Sequence, residues 1–203
     1  MEIGFFKMND VINKMKIYAK ENNVPIITDD GLNYLLQYIR DHSVKNVLEV
    51  GTAIGYSAIC MCSVSPDITV TSIERDENRY QEAIKNVHES QLQDRIHLIF
   101  GDALEVSVDG DFDLIFIDAA KAQNIKFFER FQPLLKVGGT IITDNMNFHG
   151  LVSKKIEEIE SRNLRQLVRK VNNYKDFLIQ NHQYTTEFYD IGDGLAVSIK
   201  QTI

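Results

Sequence analysis

No apolar run in this sequence of 203 residues is long enough to span a bilayer, so no membrane partner is expected. The start of the chain has no basic segment leading into an apolar core. That pattern lacks a secretory leader and sets the expectation of a cytoplasmic protein. Proline occurs only three times, and neither a low-complexity tract nor an internal repeat is present, which excludes a repeat array. The only two cysteines, Cys60 and Cys62, lie two apart in an apolar segment. This spacing fits neither a metal knuckle nor a disulfide framework, and the pair reads as buried free thiols. A surplus of basic residues is missing too. The net charge of −7 and a pI near 5.2 argue against non-specific nucleic-acid binding over the whole surface. One local basic patch is a candidate: Lys154, Lys155, Arg162, Arg165, Arg169, Lys170 and Lys175. Such runs are more often solvated helix faces.

What is present fits one α/β domain over 1–203, with two helices in 1–43 and a core in 44–203. Val11, Ile12, Met15 and Ala19 recur at helical spacing over 8–22; Leu32, Leu35, Leu36 and Ile39 do so over 29–42. Asn22-Asn23 and Pro25 end the first helix. Strands and helices then alternate. Strands are expected at 46–50, 68–73, 95–100, 112–117 and 139–143, and helices at 55–64, 76–90 and 121–135. In the helix at 76–90, Ala83, Ile84 and Val87 are expected to face inward. The strands near 47, 115 and 141 are almost wholly apolar, as strands covered on both faces should be. A polar helical stretch follows over 152–181. Runs at 185–191 and 195–200 then flank Gly192-Asp193-Gly194, a hairpin signal. The expected fold is a mostly parallel sheet with an antiparallel pair at its end and helices on both faces.

Three apolar runs end in chemistry: Val47-Leu-Glu49-Val-Gly51-Thr-Ala-Ile-Gly55, Phe116-Ile-Asp118-Ala-Ala-Lys121 and Ile141-Ile-Thr-Asp144-Asn145. In an open α/β sheet, ligands sit beyond the carboxyl ends of the strands, so the three describe one crevice. Gly51 and Gly55 allow positive φ and close approach of a ligand to the backbone. Their G-x-x-x-G spacing is not the dinucleotide pattern and does not support a pyrophosphate cradle. Glu74 closes the next strand and can hold both hydroxyls of a ribose. Asp102, beside Ala103, stands where a carboxylate accepts from an adenine amino group. Each acid alone is more often a cap or turn residue. Successive strand ends that all carry them make that reading weaker. Asp118, Asp144 and Asn145 emerge on one rim of a right-handed strand–helix–strand unit. Two carboxylates and an amide oxygen suit Mg²⁺, and Mn²⁺ also fits.

The runs L-E-V-G-T-A-I-G-Y-S, I-E-R, G-D-A-L, F-I-D-A-A-K and I-T-D-N resemble the cation-dependent O-methyltransferases that use S-adenosylmethionine, the group of catechol and caffeoyl-CoA methyltransferases. The resemblance runs from about 24 to 200. It implies a Rossmann-like class I methyltransferase fold whose seven-stranded sheet ends antiparallel. It implies that Glu49, Gly51 and Ser57 lie near the methionine part of the cofactor, that Glu74 binds the ribose, and that Asp102 and Ala103 meet the adenine. Ile27, in Val24-Pro25-Ile26-Ile27, would cover the cofactor, although relatives often carry methionine there. Asp118, Asp144 and Asn145 match the family's metal ligands, with Asp118 also touching cofactor and taking part in catalysis. D-A-A-K resembles a metal ligand followed by the catalytic lysine, which makes Lys121 the expected base.

A bound cation lowers the pKa of an acceptor hydroxyl and fixes its direction of attack, which calls for an acceptor with neighbouring oxygens. Catechols and caffeoyl esters qualify, and so does 5-hydroxyuracil. Arg162-Asn-Leu-Arg165 and Gly192-Asp-Gly-Leu-Ala196 look most like the bacterial tRNA 5-hydroxyuridine methyltransferases. That likeness puts tRNA first as the expected partner, through an unpaired anticodon base, and small catechol-like metabolites second. His149 and Asn147 are candidate substrate contacts. Asp193 is expected only to shape its turn. Relatives often carry an extra N-terminal helix before the position of Asn9, so a more open acceptor pocket or a lid from a partner subunit is expected. A homodimer is the assembly that the resemblance implies.

Overall fold

Period-two alternation in the central strands decides the layering. Leu114 and Phe116 turn to one side of the sheet, while Ile115 and Ile117 turn to the other. The computed structural model describes residues 2–147, 159 and 161–202, with residues 2–7 described by backbone alone. Helices α1 (Glu2–Glu21), α2 (Asp29–Asp41), α3 (Tyr56–Cys62), α4 (Glu77–Glu89), α5 (Asn124–Phe131) and α6 (Arg162–Gln180) accompany seven strands. These are β1 (Asn46–Val50), β2 (Thr69–Glu74), β3 (Ile96–Phe100), β4 (Phe112–Ile117), β5 (Leu135–Thr143), β6 (Tyr184–Tyr189) and β7 (Leu195–Lys200). The sheet order is β3-β2-β1-β4-β5-β7-β6. Strands β1 to β5 run parallel, and β7 lies antiparallel between β5 and β6.

Helices cover both faces. Val11 and Met15 of α1, Leu35 and Ile39 of α2 and Ile59 of α3 pack with Phe116, Ile142 and Val197. On the opposite face Phe128 and Phe131 of α5 and Tyr174 and Leu178 of α6 pack with Leu48, Ile115 and Ile141. Each such side chain, fully buried, contributes about 1.5–3 kcal/mol of transfer free energy. Side-chain caps fix three of the helix starts. Thr28 accepts from the Gly31 amide, Asp76 from Arg79 and Ser161 from Leu164, each meeting a backbone donor with no partner in its own helix. Cys60 and Cys62 are buried free thiols, as their spacing indicates. Among the described residues no helix is long and apolar enough to cross a membrane.

Three expectations are corrected. Ile84 does not face inward but is 40% exposed. Ala83, Asn86 and Val87 form the buried stripe of α4, and the Asn86 amide donates to the Ile54 carbonyl, so a polar side chain takes the inward place. The helix expected over 121–135 is divided. A 3₁₀ turn at Lys121–Gln123 precedes α5, and a second at Gln132–Leu134 carries Pro133, whose ring cannot continue an α-helix. Strand β5 then begins at Leu135 rather than 139, with an irregularity opposite Phe112/Leu114 where Lys136 bonds Asp113 at 2.7 Å. The first part of the helical stretch expected over 152–181 lies outside the described residues, as do Lys154, Lys155 and His149.

Candidate active site

Lateral hydrogen bonds tie the carboxyl ends of the parallel strands into one rim. The Gly51 amide donates to Ile73, Asp118 to Val50, Asp144 to Ile117 and Gly101 to Glu74. Gly51 has φ of +105°, and a Cβ there would lie 2.1 Å from the Asp118 carbonyl oxygen. Glycine is required because the end of β4 crosses over the turn after β1. The chain itself makes a close approach on the Cβ side of Gly51, and Gly51 also lines the cavity. Above this rim lies a cavity of about 590 Å³, roofed on one side by residues 25–28.

One end of the cavity is built on Glu74. Its Oε2 accepts from the Ala53 amide at 2.8 Å, and its Oε1 accepts from Arg75 at 2.9 Å and Asp76 at 2.8 Å. Three backbone donors therefore hold the carboxylate in one orientation. Asp102 is held likewise by the Leu104 amide and lies 3.8 Å from the Arg75 guanidinium. Ala103 and Ile27, both buried, complete the apolar wall here and under the roof. Arg75, Arg79 and Tyr56 also line the cavity, although nothing in their local pattern singled them out.

The other end is acidic, with Asp144 buried and Asp118 half-buried. Asp118, Asp144, Asn145 and Lys121 all line the same cavity. The Asn145 side-chain amide donates to Asp118 Oδ1 at 2.9 Å, and its backbone amide donates to Asp144 Oδ1 at 2.6 Å. Asn145 has φ of +66°, a left-handed conformation that asparagine tolerates better than most residues. Burial raises the pKa of both carboxyls. The charge of Glu49 adds to the rise at Asp118 and that of Asp118 to the rise at Asp144, while Lys121 opposes both. Two like charges forced together in a dry corner are what a bound cation relieves.

Glu49 stands behind the wall rather than in it. It is wholly buried, and its two oxygens accept from the hydroxyls of Ser57 and Ser72. Burial is the largest cause that pushes its pKa up to about 7; the two hydroxyls oppose the rise and the Glu74 charge adds to it. Ser57 lines the cavity in its place.

Asp193 corrects the expectation that it only shapes its turn. It lines the cavity, and its charge adds to the upward shifts at Asp118 and Asp144. The hairpin turn is clasped to the Asp144 segment: Met146 and Asn147 donate their amides to the carbonyls of Gly194 and Asp193. A Cβ at Gly194 would lie 2.7 Å from the Asn147 nitrogen. The signal was topological. β7 runs antiparallel to β5, with Thr143 opposite Ala196, so the turn before β7 must fall at the rim where β5 ends. Asn147, a candidate substrate contact, instead directs its side chain to Asp190.

The sequence profile of the O-methyltransferase family matches residues 7–201. The chain belongs to that family, and its fold is that of the class I methyltransferases. It is similar to the crystal structure of a Staphylococcus aureus protein provisionally assigned as a caffeoyl-CoA O-methyltransferase. Identity is 48% and the TM-score 0.89, with 93% of this chain and 91% of that one covered. It is 26% identical over 190 residues to a caffeoyl-CoA O-methyltransferase of Populus kitakamiensis, with 90% of this chain and 80% of the relative covered. A Bacillus cereus O-methyltransferase solved with S-adenosylhomocysteine shares the fold at 23% identity and a TM-score of 0.81, over 95% of this chain and 91% of that one.

Proposed function

We propose that this chain moves the methyl group of S-adenosylmethionine to one hydroxyl of a small catechol-like phenol, with a divalent cation held by Asp118, Asp144 and Asn145. One observation carries the reading: the two carboxylates and the amide share a single cavity with Glu74 and Asp102. Among the described residues no three His, Cys, Asp or Glu side chains form a ready-made metal cage. Two carboxylates and one amide oxygen, completed by water and substrate, suit Mg²⁺, which keeps part of its water shell; Mn²⁺ suits the same set. The likeness to the caffeoyl-CoA O-methyltransferase of Populus kitakamiensis supports the phenolic acceptor.

When bound, S-adenosylmethionine supplies an electrophilic methyl carbon, and the cation acidifies and orients the acceptor hydroxyl. The residues of the chain do the rest. Glu74, fixed by three amides, takes the ribose hydroxyls. Asp102 accepts from the adenine amino group, and Ala103 and Ile27 pack on apolar parts of the cofactor. Ser57 and Gly51 lie along its amino-acid end. Lys121, which lines the same end of the cavity, is the proposed base for the hydroxyl proton. Tyr56 and Phe127 close the apolar wall against water.

The test is mass spectrometry of methylated product from catechol or caffeic acid, with S-adenosylmethionine and Mg²⁺. Methylation lost in chelator and restored by Mg²⁺ or Mn²⁺ is the expected result; methylation indifferent to chelator refutes the metal role. A second reading takes tRNA as acceptor, and the exposed Arg162, Arg169 and Lys170 of α6 favour it. The basic stretch is thinner than its sequence indicates. The Arg165 guanidinium donates to the Ile159 carbonyl at 2.6 Å, and Lys175 lies over the Phe188 ring. Nucleoside mass spectrometry of tRNA from a deletion strain separates the two readings: 5-hydroxyuridine accumulating in place of 5-methoxyuridine decides for tRNA.

A further inference from the structure

A buried chain of hydrogen bonds runs behind the cavity wall from Thr52 to Ser72, Glu49 and Ser57. Glu49 and Ser72 face each other in register on neighbouring strands β1 and β2, and neither has any exposed surface. Thr52 and Ser57, also buried, both belong to the cavity wall. A hydroxyl owns a single proton. Ser57 gives its proton to one Glu49 oxygen and Ser72 gives its own to the other. Ser72 therefore receives the proton of the bond at 2.6 Å between its Oγ and Thr52 Oγ1. With Glu49 ionised, the direction of every bond in the chain is thus set by the carboxylate at its centre. Ser57 is left with lone pairs, not a proton, to offer a ligand, the complement of an ammonium group. A carboxylate with no exposed surface is expensive to bury unless fully bonded, so removing one donor disturbs the others.

Building on the proposed cofactor reading, we infer that Ser72 is a positioning residue: with Thr52 it holds Glu49 so that Ser57 is oriented to recognise the amino-acid end of the cofactor. Ser72 touches no ligand. Its effect passes through Glu49 and Ser57 and is confined to the part of the ligand that meets Ser57. A loss of general stability would instead weaken all adenosyl ligands alike.

The test compares two ligands by titration calorimetry: S-adenosylhomocysteine, and methylthioadenosine, which lacks the amino-acid end. Ser72→Ala is expected to weaken S-adenosylhomocysteine about five- to tenfold, and methylthioadenosine less than about twofold. Ser72→Thr, which keeps the hydroxyl, restores the affinity, and the KM for S-adenosylmethionine rises in Ser72→Ala more than kcat falls. Thr52→Val, at the far end of the chain of bonds, shows the same selectivity at smaller size and carries the test if Ser72→Ala fails to fold. Equal weakening of both ligands, or unchanged affinity for both, overturns the positioning role. A wild-type protein that binds neither ligand overturns the cofactor reading itself, and with it this inference.

Discussion

Glu74→Gln is the sharpest probe of the cavity. The substitution keeps shape and volume but gives one side of the group an N–H in place of an acceptor. In the native protein both sides accept: Oε2 from Ala53, and Oε1 from Arg75 and Asp76. Whichever way the new amide turns, a donor faces a donor. An unmet buried backbone group costs about 1–3 kcal/mol, and the hydrogen bonds that remain lose their charge assistance. For a chain of this size, about 2–4 °C of Tm is lost per kcal/mol, so a fall of roughly 2–12 °C is expected by differential scanning fluorimetry. The ribose contact weakens as well. Losing about 1.5–3 kcal/mol of a charged hydrogen bond weakens S-adenosylhomocysteine by roughly ten- to a hundredfold in calorimetry. An unchanged Kd would refute the ribose role. An unchanged Tm would refute the account of the three amides.

Asp144→Ala is expected to abolish methyl transfer while S-adenosylhomocysteine affinity stays within about threefold, since the cofactor contacts lie mainly elsewhere; activity surviving in that variant removes the metal assignment. The pH dependence of stability follows from the raised carboxyl pKa values of Asp118 and Asp144. In the folded state these groups hold protons more tightly than an unfolded carboxyl titrating near about 4, so their contribution to stability is full below that pH and is lost as pH rises toward neutrality. In chelator, melts of wild type minus Asp144→Asn should show a difference that declines across this window, and Mg²⁺ should raise the wild-type Tm above it; a flat difference argues against the shifts. Gly51→Ala drives a Cβ toward the Asp118 carbonyl at a backbone angle that L residues rarely adopt, and a loss of about 3 kcal/mol or more is expected in urea unfolding. If tRNA is the acceptor, Arg162→Ala with Arg169→Ala should reduce the salt dependence of tRNA binding, whereas Arg165→Ala should act chiefly on stability.

Much of this arrangement was legible because the strands are apolar on both faces and end in short, chemically marked turns. Those two properties placed Glu74, Asp102, Asp118, Asp144 and Asn145 at strand ends, and all five line the cavity. The division of the segment at 121–135 was hidden because Phe127, Phe128 and Phe131 keep helical spacing up to the turn that Pro133 enforces. The bonding of Glu49 was hidden for a different reason. A strand side chain turns to one face of the sheet, and only the register with Ser72 shows what Glu49 meets there. Asp193 was hidden because its chemistry depends on a neighbour strand nearly fifty residues earlier, and local pattern carries no information at that range.

The clasp between the hairpin turn and the residues after β5 has a consequence for synthesis. A nascent chain halted before β7 leaves β5 as an open, apolar edge and the acidic corner without its third carboxylate. The acidic rim is therefore completed only after the parallel part of the sheet has been made. Ribosome-stalled intermediates should aggregate through β5, and the acidic corner should gain its third carboxylate only when the hairpin emerges from the exit tunnel.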